Sequence, residues 1–254
     1  MRYHRSKPPT HLEEIPDPVI PHRHQYLQSL LIKLPRYSGP NRILLTNKCK
    51  WMVPLLGSLK SQIVSRGMED LWDDRYLYLT VRHGDIHKEH NSQWHLDGFS
   101  ADKAFTKPSH ISARRSSDLM LTWCDKEPTE FIEGMIHYPK DLDPTEHNVN
   151  WYLDDRITGK LEDEGFSPKE HSKITELKVV KSSVGWNMYT GDDVHRASPS
   201  LPEVSVTNRN RKSTVKRTFV RLALLTDEIK NSQCEQYPFA YKKDLRNKLQ
   251  RYLI

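Results

Sequence analysis

The chain has 254 residues, 36% of them hydrophobic and 28% charged, with 39 Lys+Arg against 33 Asp+Glu. That length suits one large domain or two small ones, and six Trp and eleven Tyr exclude wholesale disorder. Three widely separated cysteines without a CxxC pair (Cys49, Cys124, Cys234) argue against a disulfide framework and a cysteine zinc site; with no apolar stretch near ~20 residues and no apolar leader, a cytoplasmic protein without membrane contact is expected.

Prolines at 8, 9, 16, 18, 21, 35 and 40 disfavour continuous helix and mark residues 1–45 as a Pro-rich arm across the body. Within it a short helix is predicted over about 24–33, HQYLQSLLIK. Next, Leu55, Leu59 and Ile63 fall at i, i+4 and i+8, with Pro54 in the first turn and Gly67 at the end. This is an amphipathic helix expected to pack outside a sheet. Strands are then predicted at RYLYLTVR (75–82), DLMLTWC (118–124), TEFIEGMIHY (129–138), ELKVVKSS (176–183), VGWNMYT (184–190) and KRTFVRLALL (216–225). Many short strands with long polar connections predict a mainly β fold with flanking helices, a sandwich or barrel. In YKKDLRNKLQRYLI (241–254), Leu245, Leu249 and Tyr252 share one helical face, so the tail reads as a docked basic helix. The expected organisation is an arm (1–45), a β core with its packing helix (46–230) and a C-terminal helix on the same domain (231–254).

Within SQWHLDGF, His95 and Asp97 stand two apart, so on one strand end both side chains turn to the same side. The Asp-Gly pair also reads as an ordinary turn, and only a distant third ligand separates the two readings. His195 qualifies, following a strand and a Gly-Asp turn in GWNMYTGDDVHRASP. Beyond it, Arg217, Phe219 and Arg221 share one face of a strand, and buried guanidinium groups need anionic partners.

This order, His-x-Asp, a distal His and then an arginine strand, resembles the Fe(II)- and 2-oxoglutarate-dependent oxygenases over roughly residues 75–226. WHLDGFS, EPTEF and RTFVRL together resemble a little-characterised, phage-associated group of them. The resemblance implies a double-stranded β-helix (jelly-roll or cupin-like) core. It also implies Fe(II) on His95, Asp97 and His195, and 2-oxoglutarate held by Arg217, with Arg221 as a second carboxylate or substrate contact. Arg217 lies 22 residues past His195, further than the family usually places it, so the polar stretch 197–215 reads as an insertion. Tyr78 and Tyr189 read either as hydrogen-bond donors to the same ligand or as packing. Trp94 and Phe99 read as packing or as a substrate-pocket wall, and the loop at 100–117, with Arg114 and Arg115, as a lid or a solvated surface.

The activity implied is hydroxylation, or demethylation by hydroxylation, of an organic substrate. A small-molecule or nucleotide-like substrate, anionic in view of the net charge, is favoured; a nucleic acid stays open, and nothing sets the oligomeric state. The competing readings are a non-catalytic jelly-roll structural or adaptor protein and a cupin-like metalloenzyme that does not use 2-oxoglutarate. His83, His87 and His90 have zinc-like spacing only if helical, and Gly84-Asp85 argues for a loop instead. No GxSxG elbow or Gly-rich phosphate loop is present.

Overall fold

The computed structural model describes residues 2–21, 28–33, 42–73, 76–85, 93–96, 98–100, 113–115, 119–138, 152–154, 157, 177–198, 216–225 and 249–253. Its strands in chain order are β1 (Arg2–Ser6), β2 (Thr10–His11), β3 (Gln28–Lys33), β4 (Arg42–Thr46), β5 (Tyr76–Asp85), β6 (Gly98–Ser100), β7 (Ala113–Arg115), β8 (Leu119–Cys124), β9 (Glu130–Tyr138), β10 (Lys178–Lys181), β11 (Gly185–Thr190), β12 (His195–Arg196), β13 (Lys216–Leu225) and β14 (Leu249–Leu253). Helices α1 (Val53–Val64) and α2 (Glu69–Asp73) follow β4. The large sheet runs β14-β4-β3-β5-β13-β8-β11-β2. A small sheet runs β1-β9-β10, with β12 also on β9, and β6 pairs with β7. All pairings described are antiparallel. No helix among the described residues is long and apolar enough to cross a membrane.

Alternation builds the layers. On β13, Val220, Leu222 and Leu224 point outward into a cluster with Leu77, Leu79 and Val81 of β5, Leu121 of β8 and the α1 residues Leu55, Leu56, Leu59 and Ile63. The opposite face of the same strand carries Arg217, Phe219 and Arg221, which line a cavity between the two sheets. A second apolar cluster, including Ile132, Ile136, Tyr138 and Tyr152, covers the outer side of the small sheet. Pro54 lies in the first turn of α1, and Gly67, at φ +71°, takes the left-handed conformation just beyond it. Leu59 is fully buried under α1. Leu59→Ala is expected to lower stability by about 2–5 kcal/mol in denaturant unfolding; a loss below about 1 kcal/mol would show that α1 is not anchored there.

Residues at both ends differ from the sequence reading. Within 24–33, where a helix was expected, Gln28–Lys33 is strand β3, between β4 and β5. A helix of about ten residues is marginal in water without packing, and here the segment completes the sheet. At the C-terminus, Leu249 and Tyr252 belong to strand β14 on β4, Tyr252 opposite Ile43, and not to a helix. An open β4 edge presents a row of unpaired N–H and C=O groups; β14 pairs with it, and Tyr252 packs on the outer cluster. Residues 231–248 of the expected tail lie outside the described residues. The proline-rich stretch 7–21 is fastened to the large sheet. The Leu12 N–H donates to the Trp186 carbonyl (2.9 Å), Trp186 Nε1 to the Pro16 carbonyl (3.1 Å) and Trp123 Nε1 to Asp17 Oδ1 (2.8 Å).

Candidate metal centre

His95 and His195 come from segments a hundred residues apart in sequence and meet as a single antiparallel bridge. The His95 N–H donates to the His195 carbonyl and the His195 N–H to the His95 carbonyl, both at 3.0 Å. Their ring centroids are 4.5 Å apart. His195 is 5% exposed and sits against Phe131 (5.5 Å) and Tyr189 (4.9 Å).

Each imidazole engages the backbone in the same way. His95 Nδ1 is 2.8 Å from the Gln93 carbonyl, and His195 Nδ1 is 2.8 Å from the Asp193 carbonyl. Because a carbonyl can only accept, both Nδ1 atoms carry the hydrogen, and in the neutral ring the lone pair then sits on Nε2. This is the arrangement by which backbone groups orient metal-binding histidines. Asp97, the expected carboxylate ligand, lies outside the described residues, and among the described residues no third His, Cys, Asp or Glu joins the pair.

Both histidines line an open cavity of about 440 Å³. Its other described walls are Thr80 and Arg82 of β5, Arg217, Phe219 and Arg221 of β13, Tyr189 of β11, and Thr129 and Ala197. Arg82 stands opposite Phe219, and Thr80 opposite Arg221. No carboxylate is among these described wall residues. Arg217 is 1% exposed; its Nη2 donates to Thr129 Oγ1 (3.0 Å), while its buried Nε has no hydrogen-bond partner. Cys124, beside Arg217, has its thiol pushed up by burial, which the guanidinium only partly opposes. Such a thiol is protonated at neutral pH and is no nucleophile.

Of the other sequence candidates, Tyr189, Arg217 and Arg221 are on the cavity wall with the two histidines. Tyr78 is a residue of β5, Phe99 of β6, and Arg114 and Arg115 of β7, with Phe99 opposite Arg114. Trp94 does not line the cavity: it is 1% exposed in the outer cluster, under the Arg196 guanidinium at 4.3 Å. Its neighbour His95 takes the inner face, so strand alternation sends Trp94 outward. His83 extends β5 and its Nδ1 is 2.8 Å from Thr218 Oγ1; His87 and His90 lie outside the described residues. Sequence reasoning missed Arg82, Thr80 and Thr129. Thr80 and Arg82 alternate with Leu79 and Val81 in the predicted strand, and polar residues alternating with buried ones on a central strand were the available signal.

The residues present fit a metal and an acidic ligand in two respects. The paired imidazoles offer Nε2 lone pairs from one backbone bridge, and a buried guanidinium nitrogen lacks a partner on the same cavity. No protein-family profile and no curated protein sequence matches the chain. Solved structures similar to it include the Kdo hydroxylase KdoO, a non-heme Fe(II) alpha-ketoglutarate-dependent dioxygenase. Its complex with succinate and Fe(III) is 13% identical, with a TM-score of 0.31, over 89% of this chain and 80% of that one. Its cobalt(II) complex is 13% identical, with a TM-score of 0.30, over 94% and 81%. At those scores the likeness is remote.

Proposed function

We propose that the chain is an Fe(II)- and 2-oxoglutarate-dependent oxygenase on a double-stranded β-helix core, of the phage-associated kind that WHLDGFS, EPTEF and RTFVRL resemble. The observation that carries this reading is the bridged pair His95 and His195, each with Nδ1 fixed on a carbonyl, facing one cavity with the buried Arg217. Two imidazoles and the Asp97 carboxylate make the two-His-one-carboxylate set that suits non-heme iron(II). When bound, the metal supplies the oxidising chemistry that couples dioxygen and 2-oxoglutarate to substrate hydroxylation or demethylation, releasing succinate and carbon dioxide.

The chain's own residues do the rest. Arg217 holds the distal carboxylate of 2-oxoglutarate through its guanidinium fork, with Thr129 fixing the fork's orientation. Tyr189 and Phe131 close the wall behind His195 and exclude water from it. Arg221, Tyr189 and Tyr78 are the further cosubstrate contacts. Arg82 and Arg221 on the wall favour a substrate with an anionic group, a small molecule or a nucleotide-like one. Phe99 is proposed as part of the substrate-pocket wall, and Arg114 and Arg115 belong to the loop at 100–117 proposed to close over it.

The test is metal titration of the apoprotein with Fe(II) or Co(II), followed by succinate release from 2-oxoglutarate. Wild type is expected to bind one metal per chain and form succinate. His95→Ala and His195→Ala lose more affinity than the ~10–100-fold typical of changes behind a ligand. Absence of metal binding by wild type sinks the reading; metal binding without any 2-oxoglutarate turnover favours the cupin-like alternative.

A further inference from the structure

Both histidines are oriented through a peptide group, and in each case the other end of that peptide is held by a buried side chain from a remote segment. The carbonyl that receives His195 Nδ1 belongs to the Asp193–Val194 peptide, whose N–H donates to Ser6 Oγ at 2.9 Å, 188 residues away in sequence. The carbonyl that receives His95 Nδ1 belongs to the Gln93–Trp94 peptide, whose N–H donates to Asp154 Oδ1 at 3.0 Å, 60 residues away. Ser6 is fully buried and Asp154 is 8% exposed. A peptide unit is a rigid plane, so fixing its N–H fixes where its carbonyl points, and hence the rotation and tautomer of the imidazole.

Asp193 reinforces the first case, its Oδ2 accepting from Thr190 N–H (2.8 Å) and Thr190 Oγ1 (3.0 Å) and its Oδ1 from Lys7 N–H (2.9 Å). The turn that delivers His195 is thus tied to the residues that end β1.

We infer that Ser6 and Asp154 are a matched pair of positioning residues, each setting one metal-binding imidazole through an intervening peptide plane. This rests on the proposed metal reading of His95 and His195. The bond to Asp154 is charge-assisted and the bond to Ser6 is neutral, so Asp154 exerts the larger effect.

The experiment reads two quantities in wild type, Ser6→Ala, Asp154→Asn, Asp154→Ala and Leu59→Ala. One is Co(II) affinity from the visible spectrum of the loaded protein; the other is the tautomer of each histidine in the metal-free protein, from long-range imidazole ¹H–¹⁵N correlations. Wild type shows Nδ1–H at both rings. Ser6→Ala shifts only His195 towards mixed tautomers and weakens Co(II) about 10-fold. Asp154→Ala shifts only His95 and weakens Co(II) by up to about 100-fold, and Asp154→Asn, which keeps an acceptor oxygen, restores most of both. Leu59→Ala, which loses more stability, leaves tautomers and affinity within twofold of wild type. Unchanged tautomers in Ser6→Ala and Asp154→Ala overturn the inference. If wild type binds no Co(II), the metal reading falls, while the tautomer spectra still decide whether the two residues orient the rings.

Discussion

Replacing Arg217 by Met is expected to raise the KM for 2-oxoglutarate about 100-fold while leaving the folded state as stable as wild type or more so. The functional loss follows from two charge-assisted hydrogen bonds to a carboxylate, together worth about 3 kcal/mol. The stability gain has a separate origin. Arg217 is 1% exposed, and its described polar partners are the neutral Thr129 hydroxyl and the Cys124 thiol. A guanidinium in that setting carries a desolvation penalty of several kcal/mol, and a flexible apolar side chain of similar length removes it. Steady-state kinetics with varied 2-oxoglutarate and denaturant unfolding measure the two halves. A Met variant that loses several kcal/mol of stability would mean that Arg217 is a structural cation. One with an unaltered KM would pass the anchor role to Arg221. Arg217→Lys keeps the charge but not the fork, and an intermediate KM is expected.

Glu130→Ala is expected to cost about 3 kcal/mol of stability. The Glu130 side chain is 8% exposed and accepts from Arg196 Nε at 2.9 Å, with Lys181 Nζ at 3.8 Å. The Lys181 contact contributes little, because that side chain is 59% exposed. The Arg196 contact matters more: the arginine is 21% exposed, pairs across from Glu130 between β12 and β9, and its guanidinium covers the buried Trp94 ring. Removing the carboxylate strands that cation beside an apolar cluster. Urea unfolding of Glu130→Ala, Arg196→Ala and the double variant tests this. The double variant is expected to be less destabilised than the sum of the singles by 1 kcal/mol or more. Strict additivity would show that the pair does not act as a unit. Because Trp94 precedes His95 and Arg196 follows His195, the loss is also expected to loosen the histidine bridge.

How much of this was legible in the sequence depended on whether the signal was local. Each strand predicted from β-branched and aromatic runs is found, with KRTFVRLALL forming β13 over the whole of 216–225. The helix over Leu55, Leu59 and Ile63 is found with Pro54 in its first turn. Segments whose partners are remote were not legible. Arg2–Ser6 and Leu249–Leu253 are short and mixed in character, and become strands because β9 and β4 offer them edges. At the site, the alternation on β13 placed Arg217 and Arg221 on one face with Phe219, and the His195 segment was marked by its strand and turn. Arg82 escaped because it was read only as the end of a strand. Ser6 and Asp154 carry no motif, since their role lies in the peptide N–H groups they receive, which any oxygen-bearing side chain from any segment can do.

The reciprocal backbone bridge between His95 and His195 has one further effect. The spacing of the two imidazoles is set by main-chain hydrogen bonds, whereas much of the cavity wall is set by side chains on β5, β11 and β13. On the proposed reading, the metal centre and the surface that selects substrate are therefore separable parts of the molecule. Substitutions at Thr80, Arg82 or Phe219 would then redraw what the cavity admits while the imidazole separation stays constant, and such a scaffold would suit divergence in substrate without reinvention of the chemistry.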